Sequence, residues 1–365
     1  MANLLLLLAS RLAGAVKAYF ARVGGDGGTT VNQQHAQEVY TDTNPYDPTL
    51  IQSCDSGKAT TLYSLLVNPQ ALLETFTGSA AAYSLRSLSA GTINVVKVRR
   101  SGDDAELNFT ATEVSDGTLA SWVTAGGGTQ DGFVTTWYDQ SGNGYNATQA
   151  TAASQPKIVS SGSLVTENGK AAMDFDGVDD YLQSSITGFQ SITNLSTFSV
   201  VTPTDSAAAD TATMTLWGFG KVGGAINKAL SISSATSVLS GEKITIIFEN
   251  LTARRLGSST YSRSANEQSL ISSNHLQSGT SLFSQGSQVT LDLSSNMTTS
   301  TSATPSDTGY TADDNVQIGA LFVDGTGLVA FEPERFQEVI FYNSDKSAKR
   351  TGIEANINDY YNIYP

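Results

Sequence analysis

Cysteine is almost missing from this chain. Its 365 residues contain one, Cys54, which rules out an intrachain disulfide framework and any zinc site built on paired thiolates. Histidine is nearly as scarce: His35 and His275 stand far apart and lack metal-ligand spacing. Basic residues are few, 20 against 34 acidic ones, for a formal net charge of −14. A phosphate-binding surface needs clustered Lys and Arg, so this balance argues against nucleic acid and against anionic membrane surfaces. Charged residues of either sign make up only 15%. No apolar run approaches the roughly 20 residues of a membrane span. Neither a G-x-x-x-x-G-K-[ST] phosphate loop nor a G-x-S-x-G nucleophile elbow occurs. What remains is long enough to bury a full core without covalent staples. It is rich in Gly, Ser, Thr and Asn, the composition of a β-rich protein working outside the cytoplasm or in a particle.

The chain opens on NLLLLLASRLAGAVKAYFARV (3–23). The Leu run and Ala13-Gly14-Ala15 suggest a secretion signal, but no Lys or Arg precedes the run, and Arg11, Lys17 and Arg22 lie inside or after it. Leu5, Leu8, Leu12, Ala15, Tyr19 and Val23 recur at three- and four-residue spacing, which predicts an amphipathic helix stopped by Gly24-Gly25-Asp26-Gly27-Gly28. A hinged helix with an apolar stripe needs a burial partner. Docking through Leu5, Leu8, Leu12 and Tyr19 onto another protein or a second copy is the expected use, with packing on its own domain or export as alternatives.

Residues 29–79 read as a linker-like subdomain, with Asn68-Pro69 opening a short helix. From 80 to 365 the pattern becomes short β-branched or alternating runs: INVVKVRR (93–100), FVTTWYD (133–139), TFSVVTP (197–203), ATMTLWGFG (212–220), KITIIFE (243–249), VQIGALFV (316–323) and RFQEVIFYN (335–343). Their number suits two packed antiparallel sheets. Helices are expected from Asp116 to Val123, capped by Ser115, and from Ser344 to the C-terminus, with Ile353, Ile357, Tyr360 and Tyr361 on one face.

Two motifs carry candidate chemistry. In TWYDQSGNGYNATQ (136–149) a strand delivers Trp137 and Tyr138 into a Gly-punctuated turn holding Asp139 and Asn143. An aromatic face beside fixed polar groups is a sugar platform, whereas a polar corner positioning two strands needs the same residues. Alternation puts one aromatic in and one out, with Trp137 the core member. In NGKAAMDFDGVDDY (168–181), Asp174, Asp176, Asp179 and Asp180 supply hard oxygen ligands at a density that suits Ca²⁺, without EF-hand spacing; a solvated turn accounts for them equally well. Glu249 and Glu338 are the candidate catalytic carboxyls, Glu338 sharing an alternating face with Phe336, Ile340 and Tyr342.

AYSLRSL (82–88), VKVRRSGDD (96–104), GFVTTWYDQSGNGYNATQ (132–149), QPKIV (155–159), NGKAAMDFDGVDDYL (168–182) and QEVIFYNSDKSAKRTGIEANINDYYNI (337–363) together resemble a concanavalin A-like lectin/glucanase domain of the kind carried by phage structural and tail proteins and bacterial surface proteins. VRRSGDD and WYDQSGNG also resemble the catalytic domain of family-54 α-L-arabinofuranosidases. The resemblance covers about 80–365 and implies a jelly-roll sandwich, often carbohydrate-binding. That enzyme family carries its nucleophile near paired cysteines in a Gly-Asn-Ala-Glu run, which this chain lacks. The expectation is therefore an all-β protein: a two-sheet antiparallel jelly roll with an N-terminal and a C-terminal helix. It acts as a non-enzymatic virion component of tail, spike or capsid-decoration type on the particle exterior, contacts other virion proteins and copies of itself, and displays a surface for host glycans. The alternatives are an arabinofuranosidase-like hydrolase, a purely structural sandwich and a bacterial surface adhesin.

Overall fold

The structure is a computed structural model that describes residues 8–12, 15–19, 71–90, 93–127, 129–186, 194–204, 213–221, 230–235, 243–248, 254–262, 266–276, 279–289, 291–292, 314–323, 327–329, 331 and 333–365. Contacts divide the chain into two units, Met1–Ala71 and Leu72–Pro365. Among the described residues no helix is long and apolar enough to cross a membrane.

In the first unit the expected helix is replaced by a hairpin. Strands β1 (Leu8–Leu12) and β2 (Ala15–Tyr19) pair antiparallel, Leu8 with Tyr19 through Leu12 with Ala15. The two-residue connection Ala13-Gly14 has the length of a tight hairpin loop, and Val16 and Tyr19 favour extended backbone. The docking stripe Leu5, Leu8, Leu12, Tyr19 thus does not exist as a helical face, and Leu5 lies outside the described residues. So do the Gly joint and the Asn68 cap.

The second unit is a sandwich. Its first run of strands is β4 (Asn94–Arg100), β5 (Glu106–Thr110), β6 (Gly132–Trp137), β7 (Ala147–Thr148), β10 (Leu182–Ser184), β12 (Thr213–Lys221) and β18 (Asp314–Ile318). They pair in the spatial order β5, β4, β6, β7, β10, β18, β12. Beyond β12 follow β13 (Leu230–Ala235), β14 (Lys243–Phe248) and β15 (Arg254–Ser262). The second run leaves the opposite end of β6: β8 (Lys157–Ser160), β9 (Met173–Asp174), β19 (Glu334–Tyr342), β11 (Leu195–Pro203), β16 (Ser269–Leu276) and β17 (Gly279–Ser284). Strand β3 (Ala81–Ser84) pairs with the last half of β19.

One apolar cluster fills the space between the two runs. Val96, Val98, Trp137, Trp217 and Ile318 come from the first, and Ile271, Leu282, Phe336, Val339 and Phe341 from the second. Rings cross the interface edge to face: Trp217 meets Phe341 at 5.3 Å between centroids. Strand β11 is buried at all nine positions because its other face is covered as well. There α4 (Arg350–Tyr361) lays Ile353, Ile357 and Tyr361 against Phe198, Val200, Ile340 and Tyr342, joined by Leu72 of α1 (Leu72–Thr75).

The expected C-terminal stripe is present, but α4 starts at Arg350 after Lys349, so Ser344 is not its cap. It ends at Asn362 in the left-handed conformation, a residue that tolerates it. The helix expected over 116–123 is α3 (Thr118–Thr124), with Gly117 at φ 93° and not Ser115 at its cap position, and a further short helix, α2 (Ala111–Ser115), precedes it. Thr110 caps α2, in a reciprocal box with Glu113.

Candidate functional site

The WYDQSGNG segment folds as a clamp on β3 and the residues after it. Asp139 Oδ1 accepts from Ala82 N and Ser141 N, both at 2.9 Å; Oδ2 accepts from Ser141 Oγ at 2.7 Å and Tyr145 N at 3.0 Å. Gln140 is buried, donates from Nε2 to the carbonyls of Ser84 and Arg86, and accepts from Leu88 N. Asn143 Nδ2 donates to the carbonyls of Ser79 and Ala80. Trp137 has no exposed surface and packs on Tyr83 at 5.6 Å. Of the proposed sugar platform, Trp137 is thus core, Asp139 spends both carboxylate oxygens on this corner, and Asn143 its Nδ2. The Gly residues permit it: Gly142 and Gly144 sit at φ 88° and 79°.

Tyr138 points the other way. It is half-buried, and its hydroxyl donates to Asn108 Oδ1 at 2.8 Å. This is the outer face of the first run, opposite the core. Register lines its residues up across the strands: Asn108, Lys97, Thr136, Thr148, Gln183, Gln317 and Gly218. Their sequence neighbours Val96, Val98, Trp137, Ala147, Leu182, Val316 and Ile318 point into the core. One strand position away on the same face, Phe133 lies under the Arg99 guanidinium at 4.9 Å and the Lys157 ammonium at 5.7 Å. The face therefore presents one phenol ring, amides and hydroxyls. Its carboxylate Glu106 is engaged by Lys97. This is chemistry for neutral polar ligands: hydrogen bonds along a shallow surface with an aromatic beside them.

The acidic loop gathers three of its four carboxylates. Oxygens of Asp176, Asp179 and Asp180 lie within 4.8 Å of one another. Asp176 Oδ1 accepts from the backbone N–H groups of Val178, Asp179 and Asp180 at 2.8, 3.2 and 3.4 Å, and Asp180 Oδ2 accepts from Asp176 N at 3.0 Å. Burial, and then the neighbouring charges of Asp176, Asp179 and Asp174, push the Asp180 carboxyl up to about 7. Asp174 is not in the cluster: it faces Arg335 at 3.5 Å, and burial raises its carboxyl. The loop's internal hydrogen bonds hold the carboxylates of Asp176 and Asp180, and the Ser154 hydroxyl donates to Asp179 Oδ2 at 3.1 Å. A cation would find Asp176 Oδ2 and oxygens of Asp179 and Asp180 here and would take its remaining ligands from water or backbone carbonyls.

Glu338 is held, not poised. A shift of register opposite Val200 and Val201 turns it away from Phe336 and beneath α4, beside Ile340 and Tyr342. There it is fully buried, receives Arg86 and Ser84, and accepts from the Tyr361 hydroxyl at 3.3 Å. Burial, then the Glu338 charge, hold the Tyr361 phenol well above its ordinary range. Glu249 lies outside the described residues.

Comparison with protein families gives no match, and none of the curated proteins matches. Solved structures do. A crystal structure of an arabinofuranosidase complexed with arabinofuranosyl-α-1,2-xylobiose is similar over 78% of this chain and 64% of its own, with 17% identity and a TM-score of 0.53. A GH54 α-L-arabinofuranosidase soaked with a cyclic sulfate inhibitor is similar over the same shares, at 15% identity and a TM-score of 0.50. A Trypanosoma rangeli sialidase in complex with sialic acid aligns with 62% of this chain and 32% of its own, at 16% identity and a TM-score of 0.40. The chain thus spans under two thirds of the length of these structures. The two arabinofuranosidase likenesses establish its architecture: a β-sandwich of the kind found in that enzyme.

Proposed function

We propose that residues 72–365 form a glycan-binding sandwich whose ligand face is the outer surface around Tyr138, and that the first unit serves to attach it to a larger assembly. The observation that carries the reading is the pairing of Tyr138 with Asn108 on a sheet face of amides and hydroxyls, while Trp137 beside it serves the core. The arabinofuranosidase-like architecture supports a carbohydrate ligand. Of the two candidate acids of hydrolysis, Glu338 is locked under α4 by Arg86. The setting we propose is the exterior of a phage particle, as a tail, spike or capsid-decorating component among other virion proteins and copies of itself, where many copies multiply weak single-site binding. The acidic Ser/Thr-rich composition and the separate N-terminal unit support it; a cell-surface adhesin would share both.

A printed glycan array probed with the full chain tests the ligand. Binding that is lost in Tyr138→Ala supports the reading. Release of arabinose from arabinofuranosides would replace it with the hydrolase, and an empty array would leave a structural sandwich. Removing residues 1–28 should leave a folded domain that no longer enters particles.

A further inference from the structure

The open end of the outer row holds a polar pair that the fold itself does not need. Asn108 is exposed on β5, the last strand of its run, and Tyr138 is half-buried beside it. The Tyr138 hydroxyl donates to Asn108 Oδ1 at 2.8 Å, and among the described residues neither side chain makes another hydrogen bond. An exposed bond of this kind adds little to stability, because water would serve both groups nearly as well. What it does fix is polarity. A primary amide carries its acceptor and its donors at opposite corners of one plane, so tying Oδ1 to Tyr138 turns both N–H groups of Nδ2 the other way. The phenol has committed its proton, so Tyr138 Oη is left as an acceptor only. Lys97 stands opposite Asn108 in the register, and its ammonium is engaged by Glu106. The pair thus presents a donor and an acceptor side by side, with the nearest charges already matched to each other.

We infer that Asn108 is the specificity-determining residue of the glycan site and that it selects neutral sugars with two adjacent free hydroxyls. One hydroxyl accepts from Asn108 Nδ2, its neighbour donates to Tyr138 Oη, and the phenol ring supplies the apolar contact. A hydroxyl both donates and accepts, so a vicinal diol meets the two demands at once. Other sugar substituents fail one of them. A carboxylate only accepts, and it would bring its charge toward Glu106 where Lys97 is already engaged. An acetamido group holds its N–H and C=O on opposite sides of a planar trans amide, so it cannot serve both groups from one side. The inference rests on the outer face being the glycan face, and adds which residue chooses the sugar and by what feature.

The test probes one printed array of neutral and sialylated oligosaccharides with the full chain, Asn108→Asp, Tyr138→Phe and Tyr138→Ala, and follows the thermal unfolding of each. Asn108→Asp keeps the shape and the acceptor for the Tyr138 hydroxyl but replaces the donor by a second acceptor. It should unfold within about two degrees of the wild type, as an exposed substitution does, yet bind the wild-type hits at least about tenfold more weakly. Tyr138→Phe keeps the ring, removes the acceptor and releases the amide, and should weaken the same hits. A duplicate array oxidised with periodate, which cleaves the carbon–carbon bond between adjacent free hydroxyls, should lose them. If Asn108→Asp binds as the wild type does while Tyr138→Ala does not, the ring alone reads the sugar: the face remains a glycan site and Asn108 does not select. If Asn108→Asp melts well below the wild type, the pair belongs to the fold's own bonding and the inference falls. Hits that survive periodate, or that are confined to sialylated glycans, overturn the neutral-diol assignment. No hits with the wild type overturn the inference and the reading beneath it together.

Discussion

Arg86 reaches Glu338 across 252 positions of sequence and meets it with two edges of the guanidinium, Nε on Oε2 at 2.7 Å and Nη2 on Oε1 at 3.0 Å. Ser84 donates to the same carboxylate, and Asn356 and the rings of Tyr360 and Tyr361 close over the arginine. The pair ties β3, β19 and α4 together. Removing one partner strands a buried charge. Glu338→Gln should lower stability by about 3 kcal/mol, whereas exchanging both partners for apolar residues should recover most of that loss. Urea unfolding of the single and double variants measures it. Equal losses in both would show that the pair acts through packing alone.

Asp139 accepts four hydrogen bonds, three of them from backbone N–H groups. Asparagine keeps one acceptor oxygen and turns two N–H groups toward donors. Asp139→Asn is expected to cost about 2 kcal/mol and to raise hydrogen exchange at Ala82 and Tyr145. Unchanged exchange at these amides would remove the clamp from the account.

Asp180 titrates near 7 in the folded chain against about 4 for an ordinary aspartate. Folding therefore takes up a proton between these values. The stability that the protonated carboxyl permits is fully present below about pH 4 and lost as pH rises through about 7. Asp180→Asn keeps an acceptor for Asp176 N and cannot ionise. In EDTA it should be more stable than the wild type by about 2–4 kcal/mol at pH 8 and close to it at pH 4. A gap that does not vary with pH would contradict the burial of this charge.

Gly319 sits at φ 85°, and a Cβ there would lie 2.5 Å from Cδ1 of Phe175, a core ring packed at a tilt against Phe336. Gly319→Ala should destabilise by roughly 2–4 kcal/mol, from strained backbone and a displaced ring together. A melting temperature within a degree or so of wild type would mean that the ring moves freely.

Much of this architecture is legible in the sequence because burial imposes period two. The β runs, the inward Trp137 and outward Tyr138, and the Ile353–Ile357–Tyr361 stripe all follow from alternation or helical spacing. The N-terminal segment was ambiguous in kind: its Leu-rich run satisfies both periods, and the two-residue Ala13-Gly14 connection settles it as a hairpin. The Thr110–Glu113 capping box stands in the sequence as T-x-x-E and marks α2 directly. Glu338 could not be placed from sequence, since the extra residue Gln337 in its own strand changed its face and its cation lies most of the domain away. The outer row is likewise invisible until strand order is known, because its members come from seven strands that alternation can orient but not rank.

The most direct test is a calorimetric titration of the best array glycan into wild type, Tyr138→Ala and Glu338→Gln. The outer face predicts that Tyr138→Ala binds about tenfold more weakly or worse while Glu338→Gln, once folded, binds as the wild type does. Intact affinity in Tyr138→Ala with binding lost in Glu338→Gln would place the ligand elsewhere and contradict the account.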